Sequence, residues 1–102
     1  MRLRTMIAVA AACATPLGAF ADDKTVARSL AATCASCHGT DGRSVGGIER
    51  LAGMPKADLI RKMDEFRSGA KPATIMHQLA KGYTDQQIEM LGSYFSAQPA
   101  KK

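Results

Sequence analysis

The chain is predicted to be an all-α domain of three to four helices joined by glycine-rich loops. Three observations predict this. Apolar residues recur at helical spacing, as Leu59, Ile60, Met63 and Phe66 do, which is the period of one buried helix face. Start and stop signals flank such stretches, with Thr84-Asp85-Gln86-Gln87 before one and Gly69 after another. No run has the β-rich character of a strand.

In chain order, residues 1–21 read as a secretory signal. Arg2 and Arg4 form a basic start, Met6 to Ala14 an apolar run, and Ala19-Phe20-Ala21 a small-residue cleavage pattern, so the mature chain is expected to begin at Asp22. The apolar run is too short to span a bilayer, and Pro16 and Gly18 follow it at once. Cys13 lies in this leader and leaves with it. A lipoprotein alternative would make Cys13 the new N-terminus, but Ala10-Ala11-Ala12 lacks the leucine usual before such a site. The expected location is therefore the periplasm, and residues 22–102 are expected to form a single domain.

The formal net charge is +5 over the whole chain; with Arg2 and Arg4 gone, 12 basic residues face 9 acidic ones, or +3. That is no nucleic-acid footprint. Between Lys56 and Arg67 the basic residues alternate with Asp and Glu, the pattern of a solvated helix face.

Asp22 and Asp23 can cap a first helix, Lys24 to Cys34, with Val26, Ala27, Leu30 and Ala31 on its apolar side. Gly39 to Gly53 is a loop holding five glycines, suited to close backbone approach around a flat group. It is not a phosphate loop, because no Gly-Lys-Ser/Thr follows and no strand precedes. Ile48 and Leu51 are its apolar contacts. Pro55 suits the first position of a second helix, Pro55 to Ser68, which Gly69 ends. Asp58 one turn before Lys62 makes a favourable exposed pair. Ala73 to Lys81 reads as a short helix closed by Gly82. Thr84 and Gln87 form a capping box for the last helix, Asp85 to Ala97, which buries Ile88, Leu91 and Phe95. Gly92 is costly inside a helix, so close packing on Ala27 or Ala31 of the first helix is expected there. Pro99 and the two lysines after it read as a frayed tail.

The chemistry concentrates in Cys34-Ala35-Ser36-Cys37-His38, a C-x-x-C-H run and the attachment sequence of a c-type haem. Two thiols three positions apart lie on nearly one side of a helical turn. They can form thioether bonds to both vinyl groups of one porphyrin, and His38 then lies where its imidazole binds the iron. A thioredoxin-like pair is the first competitor, but it normally occupies a βαβ setting. Zinc needs two further ligands, and His77 is the only other histidine. Cys34 and Cys37 are the only cysteines after the leader, so no structural disulfide is expected. A domain this small has a thin core. The haem would fill it, and the chain without haem is expected to be largely unfolded.

A thioether as sixth ligand would give a closed electron-transfer haem with a raised potential. Met54, Met63, Met76 and Met90 are the candidates. Met63 lies on the apolar stripe of its helix and Met90 is offset from Ile88 and Leu91. Met76, between two helices, is the preferred choice. Met54, just before Pro55, is next, and His77 is chemically open.

Taken together, the run from Cys34 through Asp41-Gly42, then Leu51-Ala52-Gly53, Arg67-Ser68-Gly69, Met76, Ala80-Lys81-Gly82-Tyr83-Thr84-Asp85 and Tyr94-Phe95 resembles the class I c-type cytochromes. Arg67-Ser68-Gly69 and Ala80 to Tyr83 narrow this to a resemblance to the cytochrome subunits of flavocytochrome c sulfide dehydrogenases. The resemblance implies a class I cytochrome c fold around one covalent haem c. It implies thioether attachment at Cys34 and Cys37, His38 as proximal ligand and Met76 as distal ligand. It also implies single-electron transfer without bond chemistry, from a flavoprotein dehydrogenase to a further acceptor protein. Subunits of that enzyme often carry two haem domains, whereas this chain has one C-x-x-C-H. A free-standing diffusible carrier to a terminal oxidase or reductase therefore stays open. A haem-based ligand-binding or sensor protein would need an open sixth position, and Met76 argues against it.

Overall fold

The computed structural model describes residues 22–100. The predicted leader, with Cys13, and the two terminal lysines lie outside the described residues. Asp22 caps the first helix as predicted: the Thr25 N–H donates to its carboxylate at 2.7 Å, satisfying one of the free donors of the first turn. Helix α1 runs Asp23–Ala32. Thr33 and Cys34 keep right-handed backbone angles and lead into a single turn, α2, Ala35–His38. The predicted helix to Cys34 is thus two pieces, and Cys37 and His38 ride on the second. A 3₁₀ turn, Thr40–Gly42, follows.

Helix α3 spans Lys56–Ser68. Pro55 stands just before its first residue, at φ −54°, a conformation its ring imposes. Gly69 ends the helix in the left-handed region at φ 83°, as expected of a glycine there. The predicted helix over 73–81 narrows to α4, Met76–Ala80. Pro72 and the β-branched pair Thr74-Ile75 are poor helix formers, and Ile75, at φ −138° and ψ −25°, lies outside both the helical and the extended regions. Helix α5 runs Asp85–Ser96. Its capping box is complete: the Gln87 N–H donates to Thr84 Oγ1 at 3.1 Å and the Thr84 N–H donates to Gln87 Oε1 at 2.9 Å. Thr84→Ala is expected to cost about 1 kcal/mol, seen as a lower denaturant midpoint with an unchanged slope.

Helix α5 is central. It packs against α1 and against α3, and α4 packs on α3. Phe95, Ile88 and Leu91 are the most deeply buried large side chains, joined in the core by Leu59 and Met63 of α3 and Ala31 of α1. Gly92 departs from expectation. A Cβ there would lie 2.9 Å from Lys56 Cγ and 3.3 Å from the Lys56 carbonyl oxygen, so the close approach is to the start of α3 and not to Ala27 or Ala31. The expected Asp58–Lys62 pair is also replaced. Asp58 pairs with Arg61 at 3.8 Å, and Lys62 reaches across to Glu49 in the preceding loop. Arg67 bridges Asp64 and, at 2.7 Å, Asp85, tying the end of α3 to the start of α5. The described residues form an all-α fold with no strand.

Candidate functional site

The C-x-x-C-H turn opens onto a cavity of about 350 Å³. Cys34, Cys37 and His38 line it from α2 and the residue before it. Leu51 and Met54 come from the loop, Leu59, Met63 and Phe66 from α3, Met76 and Leu79 from α4, and Leu91 and Phe95 from α5. Every helix of the fold except α1 therefore supplies wall, and the walls are mostly apolar.

Cys34 and Cys37 are both free thiols. Burial pushes the Cys34 thiol above its ordinary pKa. A redox-active pair requires the opposite, a thiol lowered towards thiolate, so thiol–disulfide chemistry finds no support here. His38 Nδ1 lies 2.6 Å from the Glu49 carbonyl oxygen. A carbonyl can only accept, so Nδ1 carries the proton and donates it, and Nε2 keeps its lone pair. The same bond fixes the orientation of the ring, as an outer partner does for a metal-binding histidine.

The loop that supplies Glu49 is closed on itself. The N–H groups of Leu51 and Ala52 both donate to the Gly42 carbonyl oxygen, at 2.9 and 3.1 Å. Gly42 sits at φ 77°, and a Cβ there would lie 2.8 Å from Leu51 Cβ and 2.9 Å from Phe95 Cδ1. Asp41 beside it takes a left-handed conformation, φ 53°. Its carboxylate accepts the Tyr94 hydroxyl proton from α5 and lies 3.7 Å from Arg43. That hydrogen bond, with burial, holds the Tyr94 phenol above its usual pKa, so it stays a donor at neutral pH. Gly46 and Gly47 have open space around them, and Val45 is 86% exposed. This half of the glycine-rich loop does not pack as expected.

Of the sixth-ligand candidates, Met54, Met63 and Met76 line the cavity, whereas Met90 and His77 do not. Met63 is buried in the core, as expected. Met76 is the first residue of α4. The fold thus brings Cys34, Cys37, His38 and Met76 around one space. Three features of the site have no counterpart in the sequence reading. They are the Glu49 carbonyl, the Asp41–Tyr94 tie and a hydroxyl pair between Thr33 and Tyr83. A backbone carbonyl leaves no mark in a sequence. The other two carry a weak one, a polar residue flanking the C-x-x-C-H run and a tyrosine in or before the last helix.

At the mouth, Ile48, Ile75 and Leu79 remain 48%, 56% and 47% exposed. Among the described residues no group of three or more His, Cys, Asp or Glu side chains is placed to hold a metal ion, and no helix is long and apolar enough to cross a membrane. The donor set is an imidazole with a fixed tautomer, two unpaired thiols one turn apart and a thioether, facing an apolar cleft. It fits a covalently attached haem.

Comparison with known proteins agrees. The family model described as Cytochrome c matches residues 24–98. The chain is 36% identical over 66 residues to the cytochrome subunit of sulfide dehydrogenase of Chlorobaculum tepidum, covering 65% of this chain and 60% of that protein. It is 36% identical over 76 residues to the thiosulfate dehydrogenase electron acceptor of Stutzerimonas stutzeri, 72% of this chain and 35% of that one. It is 30% identical to cytochrome c-554(548) of Halomonas halodenitrificans, over 76% of this chain and 99% of that protein. The chain spans 60% or less of the length of the first two relatives.

Proposed function

This chain belongs to the cytochrome c family, and we propose that it is a periplasmic mono-haem electron carrier that takes electrons from a flavoprotein sulfide dehydrogenase, as its haem subunit or partner. As a member of that family it carries covalently bound haem c and transfers electrons. A haem supplies a one-electron iron couple when bound. The chain holds it by thioether bonds at Cys34 and Cys37, with His38 Nε2 as proximal ligand and the Met76 thioether as distal ligand. Two fixed ligands limit rearrangement between oxidation states. Leu59, Met63, Leu91 and Phe95 exclude water from the interior. Ile48, Ile75 and Leu79 form an apolar rim at which a partner can approach. No side chain is required to make or break a bond in a substrate, so the chain itself is not the catalyst.

The observation that carries this reading is the His38 Nδ1–Glu49 bond, which leaves the Nε2 lone pair free on a ring that lines the same cavity as Cys34, Cys37 and Met76. The sulfide dehydrogenase assignment draws on the Chlorobaculum tepidum relative. A second reading draws on the Stutzerimonas stutzeri relative, named as an electron acceptor: a diffusible carrier serving a sulfur-oxidising dehydrogenase. Gentle isolation from the periplasm separates the two. A flavin-containing chain that co-elutes with the haem and reduces it on adding sulfide supports the subunit. Haem eluting alone, and reduced by no added flavoprotein with sulfide, sinks that reading and leaves the carrier.

A further inference from the structure

The segment bearing Met76 is weakly anchored. Helix α4 has only five residues, Ile75 and Leu79 beside the cavity are about half exposed, and only Ala80 is fully buried there. Segments with few buried apolar contacts open first. Among the described residues, one hydrogen bond and no ion pair joins residues 70–84 to residues 22–53. It is the Thr33–Tyr83 hydroxyl pair, 2.7 Å apart. The direction follows from the neighbours. Thr33 already donates its one hydroxyl proton to the Leu30 carbonyl oxygen at 2.8 Å, so the Tyr83 phenol donates to Thr33 Oγ1. Thr33 immediately precedes Cys34, Tyr83 follows α4, and both line the cavity.

We infer that Tyr83 is a positioning residue: its hydrogen bond to Thr33 clasps the Met76 segment to the attachment segment and keeps the distal thioether over the iron. This rests on Met76 being the distal ligand. Without the clasp the segment swings out more often, and an exogenous ligand reaches the sixth position in competition with Met76. The gain in apparent affinity equals the factor by which the open fraction rises when the bond is lost.

The test is titration of imidazole into the ferric holoprotein, followed by visible absorption. Tyr83→Phe and Thr33→Val are each expected to bind imidazole about fivefold more tightly, the size of one net hydrogen bond. The double variant should gain no more than either single one, because both remove the same bond. Ile88→Val, a core change at a residue that neither lines the cavity nor takes part in the Thr33–Tyr83 bond and that lowers global stability comparably, should bind as the parent does. The clasp is overturned if Tyr83→Phe binds like the parent, if Ile88→Val gains as much, or if the two single effects add. Met76→Ala separates this from the ligand assignment. If it opens the site while Tyr83→Phe does not, only the clasp fails. If it leaves spectrum and imidazole affinity unchanged, the distal assignment fails, and the clasp with it.

Discussion

Met76→Ala is expected to turn the reduced protein from one that does not take up carbon monoxide into one that binds it. Alanine cannot reach the iron from the start of α4, so the proposed distal position falls open to water or an added ligand. Loss of the thioether should also lower the reduction potential, on the order of a tenth of a volt or more within the roughly 0.8 V that axial ligands span. The controls are the other two methionines of the cavity. Met54→Ala should leave the absorption spectrum unchanged. Met63→Ala, made in the buried core, should cost about 2–5 kcal/mol in stability while the spectrum of the folded fraction stays as before. An unaltered spectrum in Met76→Ala, or an altered one in Met54→Ala, would move the assignment away from Met76.

The second large effect concerns the chain without its cofactor. With Cys34→Ala and Cys37→Ala together, no thioether can form, and the haem-free chain is expected to show little helix and no cooperative melting. The residues that line the cavity are also the core: Leu59, Met63, Leu91 and Phe95 appear in both. Without haem these side chains border an open cleft of about 350 Å³ and lose the apolar partner that would complete a thin core. Circular dichroism through a thermal ramp decides it. A sharp transition with native-like helix content in the double variant would contradict the expectation.

Much of this molecule was legible from short-range signals. The Asp22 cap, the Thr84/Gln87 box and the left-handed Gly69 each answer a local need of a helix end, and local needs are written in neighbouring residues. The C-x-x-C-H run is legible for the same reason, since its geometry is contained in one turn. Long-range pairings were not. Gly92 signalled that something comes close, but nothing in the sequence says that Lys56 and Ile60 are the neighbours and Ala27 and Ala31 are not. Lys62 has an obvious partner one turn away and uses Glu49 instead. The extent of α4 was overestimated because Ala73 to Lys81 contains good helix formers, and the poor helix propensity of Thr74-Ile75 outweighs them at its start. The Glu49 carbonyl, which decides the tautomer of His38, depends only on where the backbone passes.

The packing of α1 on α5 has a consequence for how the molecule is made. These helices lie at opposite ends of the described chain, so the contact that closes the fold waits until α5 has followed α1. Cys34 and Cys37 emerge long before Leu91 and Phe95, which wall the cavity behind them. For that interval the two thiols stand on an unfinished surface, open to whatever machinery installs a prosthetic group. Once α5 docks, Leu91 and Phe95 complete the wall of the cleft onto which the same thiols face, and Cys37 keeps an exposed side.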